Sequence, residues 1–201
     1  MTILYLETNY LVGIATGRDP GFGSLPLAEF PDLRMAIASV CLLEALSWWE
    51  GEIKRREQLK TLFTNQIAQL QRDVVSSHAR SLRVLLEEAI VKNQGLLRSI
   101  DSRLFSAIKE VTGASELIHP DAAVFQRSRD APIIDEATDN LILYTILDHA
   151  SKIDERTKLF LSHNTKEFGD EGARKAFRDA GIEYLSKSQD VLERVRTRSI
   201  S

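Results

Sequence analysis

The sequence predicts an α/β fold: a three-layer α/β/α sandwich around a mainly parallel sheet, with an added helical block. Three observations lead there. Thr2–Leu6, Met35–Ser39 and Lys158–Ser162 are short, almost wholly apolar runs, as strands buried on both faces of a parallel sheet require. Helical periodicity fills the intervals between them, which is the alternation that makes parallel sheets. The first and third runs end in polar, acid-bearing turns.

The elements follow in order. Thr2–Leu6 is a central strand, closed by Glu7, Thr8 and Asn9. Tyr10–Ala15 makes a helical turn or two, and Gly17–Gly23 is a loop by its glycines and proline. Pro26 and Pro31 keep the chain irregular to about Asp32. After the second strand, Met35–Ser39, the period changes. Leu42, Leu43, Leu46, Trp49 and Ile53, then Leu59, Leu62, Phe63, Ile67 and Leu70, mark one long helix, or two with a break near Gly51. His78–Lys92 is a further helix, Gly95 interrupts it, and Leu96–Val111 is another, ended by Gly113. Residues 50–113 thus form a helical insertion within a single domain spanning 1–201. Leu117–Ile134 reads as irregular. Thr138 caps a helix that starts at Asp139. Lys158–Ser162 is a strand, Ala173–Ala180 a short helix and Gly181–Leu185 a last strand. Ser188 caps a final helix, Gln189–Val195.

Composition narrows the class. A chain of 201 residues, 43% hydrophobic and 27% charged, can build a core under an ordinary soluble surface. The net charge of −3 argues against a generic basic nucleic-acid coat, though not against a local basic patch beside an acidic centre. The single Cys41 cannot close an intrachain disulfide, which fits a reducing compartment. Met1 runs straight into a strand with no basic leader, and the uncharged runs are too short to span a membrane. These features read as a cytoplasmic protein with no membrane association.

The acids are the candidate chemistry. Glu7 sits beyond the carboxyl end of a strand, where open parallel sheets bind ligands. Glu44 lies among apolar neighbours early in the next helix, and Asp139 opens the apolar run of its own. Each could equally serve the helix dipole. Asp135 and Glu136 compete with Asp139, but fall in the preceding loop. Glu167 and Asn164 follow the strand ending in Ser162. Brought together, such carboxylates repel and raise one another's pKa. A hard divalent cation, Mg²⁺ or Mn²⁺, removes that penalty. The four histidines are dispersed, so no zinc cluster is offered. Neither a phosphate-binding glycine loop nor a nucleophile elbow is present.

In sequence LYLETNYLV resembles the opening strand of the PIN-domain nucleases, usually written with Asp where Glu7 stands. Glu44 matches their second acid and Asp139, in DNLILYTIL, their third. LSHNTKEF is similar to the strand-four segment of the VapC-type toxins, which maps the fourth acid onto Glu167, with Ser162, Asn164 and Asn9 as supporting polar groups. The resemblance covers about residues 1–50 and 130–187. It implies a ribonuclease using Mg²⁺ or Mn²⁺ on Glu7, Glu44, Asp139 and Glu167. Arg127, Arg129 and Lys166 are its candidate phosphate contacts. RNA is the implied substrate, and a small antitoxin and a second copy of the chain are implied partners. Glu7 is one methylene longer than the usual Asp, and a displacement near 1 Å can cost on the order of 100-fold in rate. A degenerate PIN-like module that binds protein or RNA, or a hydrolase of small phosphate esters, are the competing functions.

Overall fold

The computed structural model describes residues 1–18, 30 and 32–198. The expected loop at Gly17–Gly23 and the prolines Pro26 and Pro31 lie largely outside the described residues. The described chain forms two compact units: one from residues up to Ala45 and from Leu104 onward, the other from Leu46–Arg103.

The first unit holds five parallel strands: β1 (Thr2–Leu6), β2 (Leu33–Ala38), β3 (Glu116–Ile118), β4 (Thr157–Leu161) and β5 (Ile182–Leu185). Their order is β3-β2-β1-β4-β5, so β1 is central. Its residues Ile3, Leu4, Tyr5 and Leu6 are fully buried, as a strand covered on both faces must be. The helices are α1 (Thr8–Thr16), α2 (Ser39–Leu70), α3 (Ser77–Ala114), α4 (Ala122–Asp130), α5 (Ala137–Ser151), α6 (Glu171–Asp179) and α7 (Ser188–Arg198). The predicted three-layer α/β architecture is the one found. Beneath β4, Phe160 stacks on Phe177 with ring centroids 4.6 Å apart and meets Phe168 edge-on at 5.0 Å. Among the described residues, no helix is long and apolar enough to cross a membrane.

The structure decides one open sequence reading and corrects three others. First, α2 is the single long helix, unbroken through Gly51. Second, α3 is one helix through Gly95 and Gly113, not two. A glycine costs about 1 kcal/mol in a helix interior, but the buried positions of α3, Ala79, Asn93, Ile100, Leu104, Ala107 and Val111, fall on a seven-residue repeat that outweighs it. Third, Leu117–Ile134 is not irregular, because it holds the end of β3 and all of α4. Asp121 caps α4 by accepting from the Val124 amide at 2.8 Å. Fourth, Glu136 and not Thr138 caps α5, accepting from the Asp139 amide at 2.8 Å.

The second unit is a helical hairpin of the inner parts of α2 and α3. Its seam is partly polar. Asn93 is buried, accepts from the Arg56 guanidinium at 3.0 Å and donates to the Arg56 carbonyl at 3.2 Å. Glu52 holds Arg56 at 2.6 Å and Arg55 at 2.7 Å. The two Arg56–Asn93 bonds tie one helix to the other, whereas the Glu52 pairs lie within α2.

Candidate active site

The strand order reverses between β1 and β4. From β1 the chain winds outward to β2 and β3, whereas β4 and β5 lie on the opposite side. Such a switch point leaves a crevice beyond the carboxyl ends of the strands. Leu6 lies opposite Leu161, so Glu7 and Ser162 are the first residues past the sheet on either side of that crevice.

Glu7 is 1% exposed. It caps α1, with Oε2 accepting from the Asn9 amide at 2.7 Å. Its other oxygen, Oε1, is buried and has no hydrogen-bond partner among the described residues. Burial pushes the Glu7 pKa up to about 8. The Asn9 amide and the nearby Ser162 hydroxyl work in the other direction, and the charges of Asp139 and Glu44 raise it further. Cys41 is buried beside it, and burial with the charge of Glu7 keeps its thiol protonated.

Glu44 lies in the second turn of α2, not the first, so the helix dipole does not account for it. It is half-buried, and the hydroxyl of buried Thr8 donates to its Oε2. Burial raises its pKa, the Thr8 bond lowers it and Glu136 raises it again.

Asp139 is 7% exposed, in the first turn of α5. Its Oδ2 accepts from Asn164 Nδ2 at 3.0 Å. Burial pushes its pKa up to about 7, and the charges of Glu44, Glu136 and Glu167 add to that. Asp139 is therefore the carboxylate on which three other acids converge. The β4–α6 turn is tied locally. Ser162 Oγ accepts from the Asn164 amide at 2.9 Å, and Asn164 Oδ1 accepts weakly from the Glu167 amide at 3.4 Å.

The predicted residues Glu7, Glu44, Asp139 and Glu167 thus share one electrostatic neighbourhood, with Asn9, Ser162 and Asn164 bonded into it. The cations are less unified. Lys166 is exposed and pairs with Glu167 at 2.7 Å. Arg127 pairs at 2.6 Å with Asp148, more than two turns along α5 from Asp139. Arg129 is exposed on α4 and, among the described residues, pairs with its neighbour Asp130 at 3.1 Å.

The family model for the PIN domain matches residues 4–168. The chain belongs to the PIN-domain family. PIN domains are in general nucleases, and generally use divalent metal ions. No curated protein matches the chain. Among solved structures it is similar to the crystal structure of VapBC2 from Rickettsia felis bound to a DNA fragment from their promoter, at 14% identity and a TM-score of 0.44, over 92% of this chain and 99% of that one.

The acids of this PIN domain fit a hard cation in chemistry: the donors are all carboxylate oxygens, and Glu7 Oε1 is buried without a partner. Among the described residues, no three His, Cys, Asp or Glu side chains stand close enough to hold one ion together. The Asn9 amide holds Glu7 at the start of α1, while Thr8 ties Glu44 to α1 and Asn164 ties Asp139 to the turn after β4. Sequence reasoning undervalued Glu136. Its position three residues before Asp139, the spacing of an N-cap to its bonded amide, was the available signal.

Proposed function

We propose that this PIN domain is a Mg²⁺- or Mn²⁺-dependent endoribonuclease, acting in the cytoplasm as the toxin of a toxin–antitoxin pair. The observation that supports the metal is Glu7. A carboxylate that is 1% exposed, with one oxygen lacking a partner, stands at the switch point beside a second carboxylate whose pKa is raised to about 7. Glu7 and Asp139 would hold the ion, with Glu44 and Glu167 completing the set. Bound there, it would supply neutralising charge, activation of water and stabilisation of the oxyanion developing on the phosphodiester.

The protein's own groups do the positioning. Asn9 holds Glu7 Oε2 and leaves Oε1 as the free donor atom. Asn164 fixes the orientation of Asp139 through Oδ2, and Ser162 fixes Asn164. Thr8 steers Glu44. Without an ion, protons on Glu7 and Asp139 relieve the crowding near neutral pH. Lys166 and Arg129 are the cations left to meet the RNA backbone. The helical segment 50–113 is an insertion in this single domain, and offers a face for an antitoxin or a second copy.

Cleavage of single-stranded RNA in Mn²⁺, compared between wild type and Asp139→Asn, tests the proposal; equal cleavage by both overturns it. A second reading has its own support. With no three acids in ligating proximity among the described residues and a Glu at position 7, the pocket fits a degenerate module that binds RNA or protein without cutting. Calorimetric titration separates the two, since the nuclease binds Mn²⁺ through Asp139 and the degenerate module does not.

A further inference from the structure

Beside the acids lies a cavity of about 410 Å³, within the roughly 300–1,000 Å³ range of small-ligand sites. Its apolar wall includes Val40, Pro132 and Leu141. Its polar groups include Thr138 and Asp135, which precede Asp139 by one and four residues. Val40 lies one turn of α2 before Glu44, so the cavity borders the catalytic acids on two elements.

The wall is built rather than incidental. Asn140 is 2% exposed and wholly committed to it. Its Oδ1 accepts from the Ile133 and Ile134 amides at 3.0 and 3.1 Å, and its Nδ2 donates to the Ser128 carbonyl at 2.6 Å. The Tyr144 hydroxyl donates to the Ala131 carbonyl at 2.6 Å. These bonds tie the segment between α4 and α5 down onto α5, so the hollow exists before any ligand arrives.

At its rim stand Phe125 and Arg129, one helical turn apart on the same face of α4. Phe125 is 59% exposed, a large ring with no reason in the core to be there. Among the described residues Arg129 has an exposed pair with Asp130, which holds it weakly. Asp135 is exposed, and lies within electrostatic reach of Lys166 on the β4–α6 turn.

A stacking ring, a cation for a phosphate, and an acceptor for amino hydrogens next to a phosphodiesterase centre match one ligand. We infer that this cavity binds the base of a nucleotide flanking the scissile phosphate, and selects a base that presents an amino group, cytosine above uracil. This rests on the nuclease reading for its position. Phe125 stacks on the base. Asp135 accepts from the exocyclic amine, a bond uracil cannot make because it offers a carbonyl oxygen there. Arg129 contacts the adjoining phosphate.

The test is binding of oligo(C) and oligo(U) RNA hexamers to the full chain in EDTA, followed by calorimetry, for wild type, Phe125→Ala and Asp135→Asn. All three side chains at issue are exposed, so the variants keep the fold, checked by circular dichroism. The expected result is tighter binding of oligo(C) by wild type, a loss of about tenfold for both hexamers in Phe125→Ala, and collapse of the C-over-U preference in Asp135→Asn. Equal binding of the two hexamers by wild type, or an unchanged affinity in Phe125→Ala, overturns the inference. Binding of neither hexamer also overturns it, and leaves the cavity to an apolar peptide. RNA cleavage in Mn²⁺ is scored separately. A wild type that binds oligo(C) through Phe125 but cuts nothing sinks the nuclease and spares the base pocket; one that cuts RNA with Phe125→Ala unchanged does the reverse.

Discussion

Asn164 Nδ2 donates to Asp139 Oδ2 across 3.0 Å, joining the turn after β4 to the first turn of α5. The two residues come from elements on different parts of the chain, and this bond sets the direction in which the Asp139 carboxylate faces. Removing partners of this kind from a metal site typically costs 10–100-fold in affinity or activity. Asn164→Ala is therefore expected to lower RNA cleavage by at least about tenfold, with Mn²⁺ affinity falling alongside. Loss of cleavage with intact Mn²⁺ affinity would assign Asn164 to the substrate instead.

Gly169 packs against the Thr165 carbonyl so closely that a Cβ there would overlap the oxygen, the carbonyl carbon and the Cα of Thr165. Backbone cannot swing aside as a side chain can. Gly169→Ala is expected to destabilise the fold by about 1–3 kcal/mol in urea unfolding. It should also displace Asn164 and Glu167, lowering Mn²⁺ affinity well beyond what the stability loss explains.

Stability of the metal-free protein should fall with rising pH. An unfolded glutamate loses its proton near 4.5, whereas Glu7 in the fold keeps its proton until about 8. Between those values the unfolded state binds fewer protons than the native one, so the unfolding free energy declines as pH climbs. Asp139, raised from 3.8 to about 7, contributes with the same sign over a lower window. Thermal unfolding in EDTA from pH 5 to pH 8 should show a falling Tm, flattened by Glu7→Gln and opposed by Mn²⁺. A Tm that rises across this range would mean that neither carboxyl is protonated in the fold.

Tyr5 reaches from the centre of the sheet to His149, its hydroxyl 2.9 Å from Nδ1, and His149 Nε2 lies 3.2 Å from Glu116. Tyr5→Phe removes one end of this relay and leaves a sheltered ring nitrogen without its partner. The expected loss is about 1–3 kcal/mol in chemical denaturation, with Mn²⁺ affinity unchanged because Asp139 sits at the other end of α5.

In the hairpin, Asn93→Ala should cost about 1–3 kcal/mol. Arg56 loses both the side-chain acceptor and the donor to its carbonyl. Substitution by Leu at the same site tests specificity: retained stability with loss of a single helical register, seen by cross-linking introduced cysteines, would assign Asn93 to alignment.

The strands were legible because a strand covered on both faces has to be apolar throughout, as Ile3–Leu6 and Leu159–Leu161 are. The acids were legible because each stands against an apolar run: Glu7 and Glu167 after strands, Glu44 within and Asp139 at the start of apolar helices. β3 was not, since it has three residues and two of them are exposed. Nor was α4, whose only buried residues are Val124 and Ser128. The continuity of α3 was hidden by Gly95 and Gly113, which read as breaks. Around both a Cβ would meet open space, so neither is required by the packing and neither stops the helix. Glu136 was set aside as a loop acid because Thr138 read as the cap, which left Glu136 outside the helix. The adjacent base pocket left no trace beyond Phe125 and Arg129 at a spacing of four, since its wall depends on where Asn140 sends three hydrogen bonds.

The pairing of β1 with β4, Thr2 opposite Thr157, also has a temporal side. During synthesis Glu7 leaves the ribosome well before Asp139 and Asn164. Contacts so remote in sequence form late. A chain cut short before Asp139 therefore has no means of assembling the cluster.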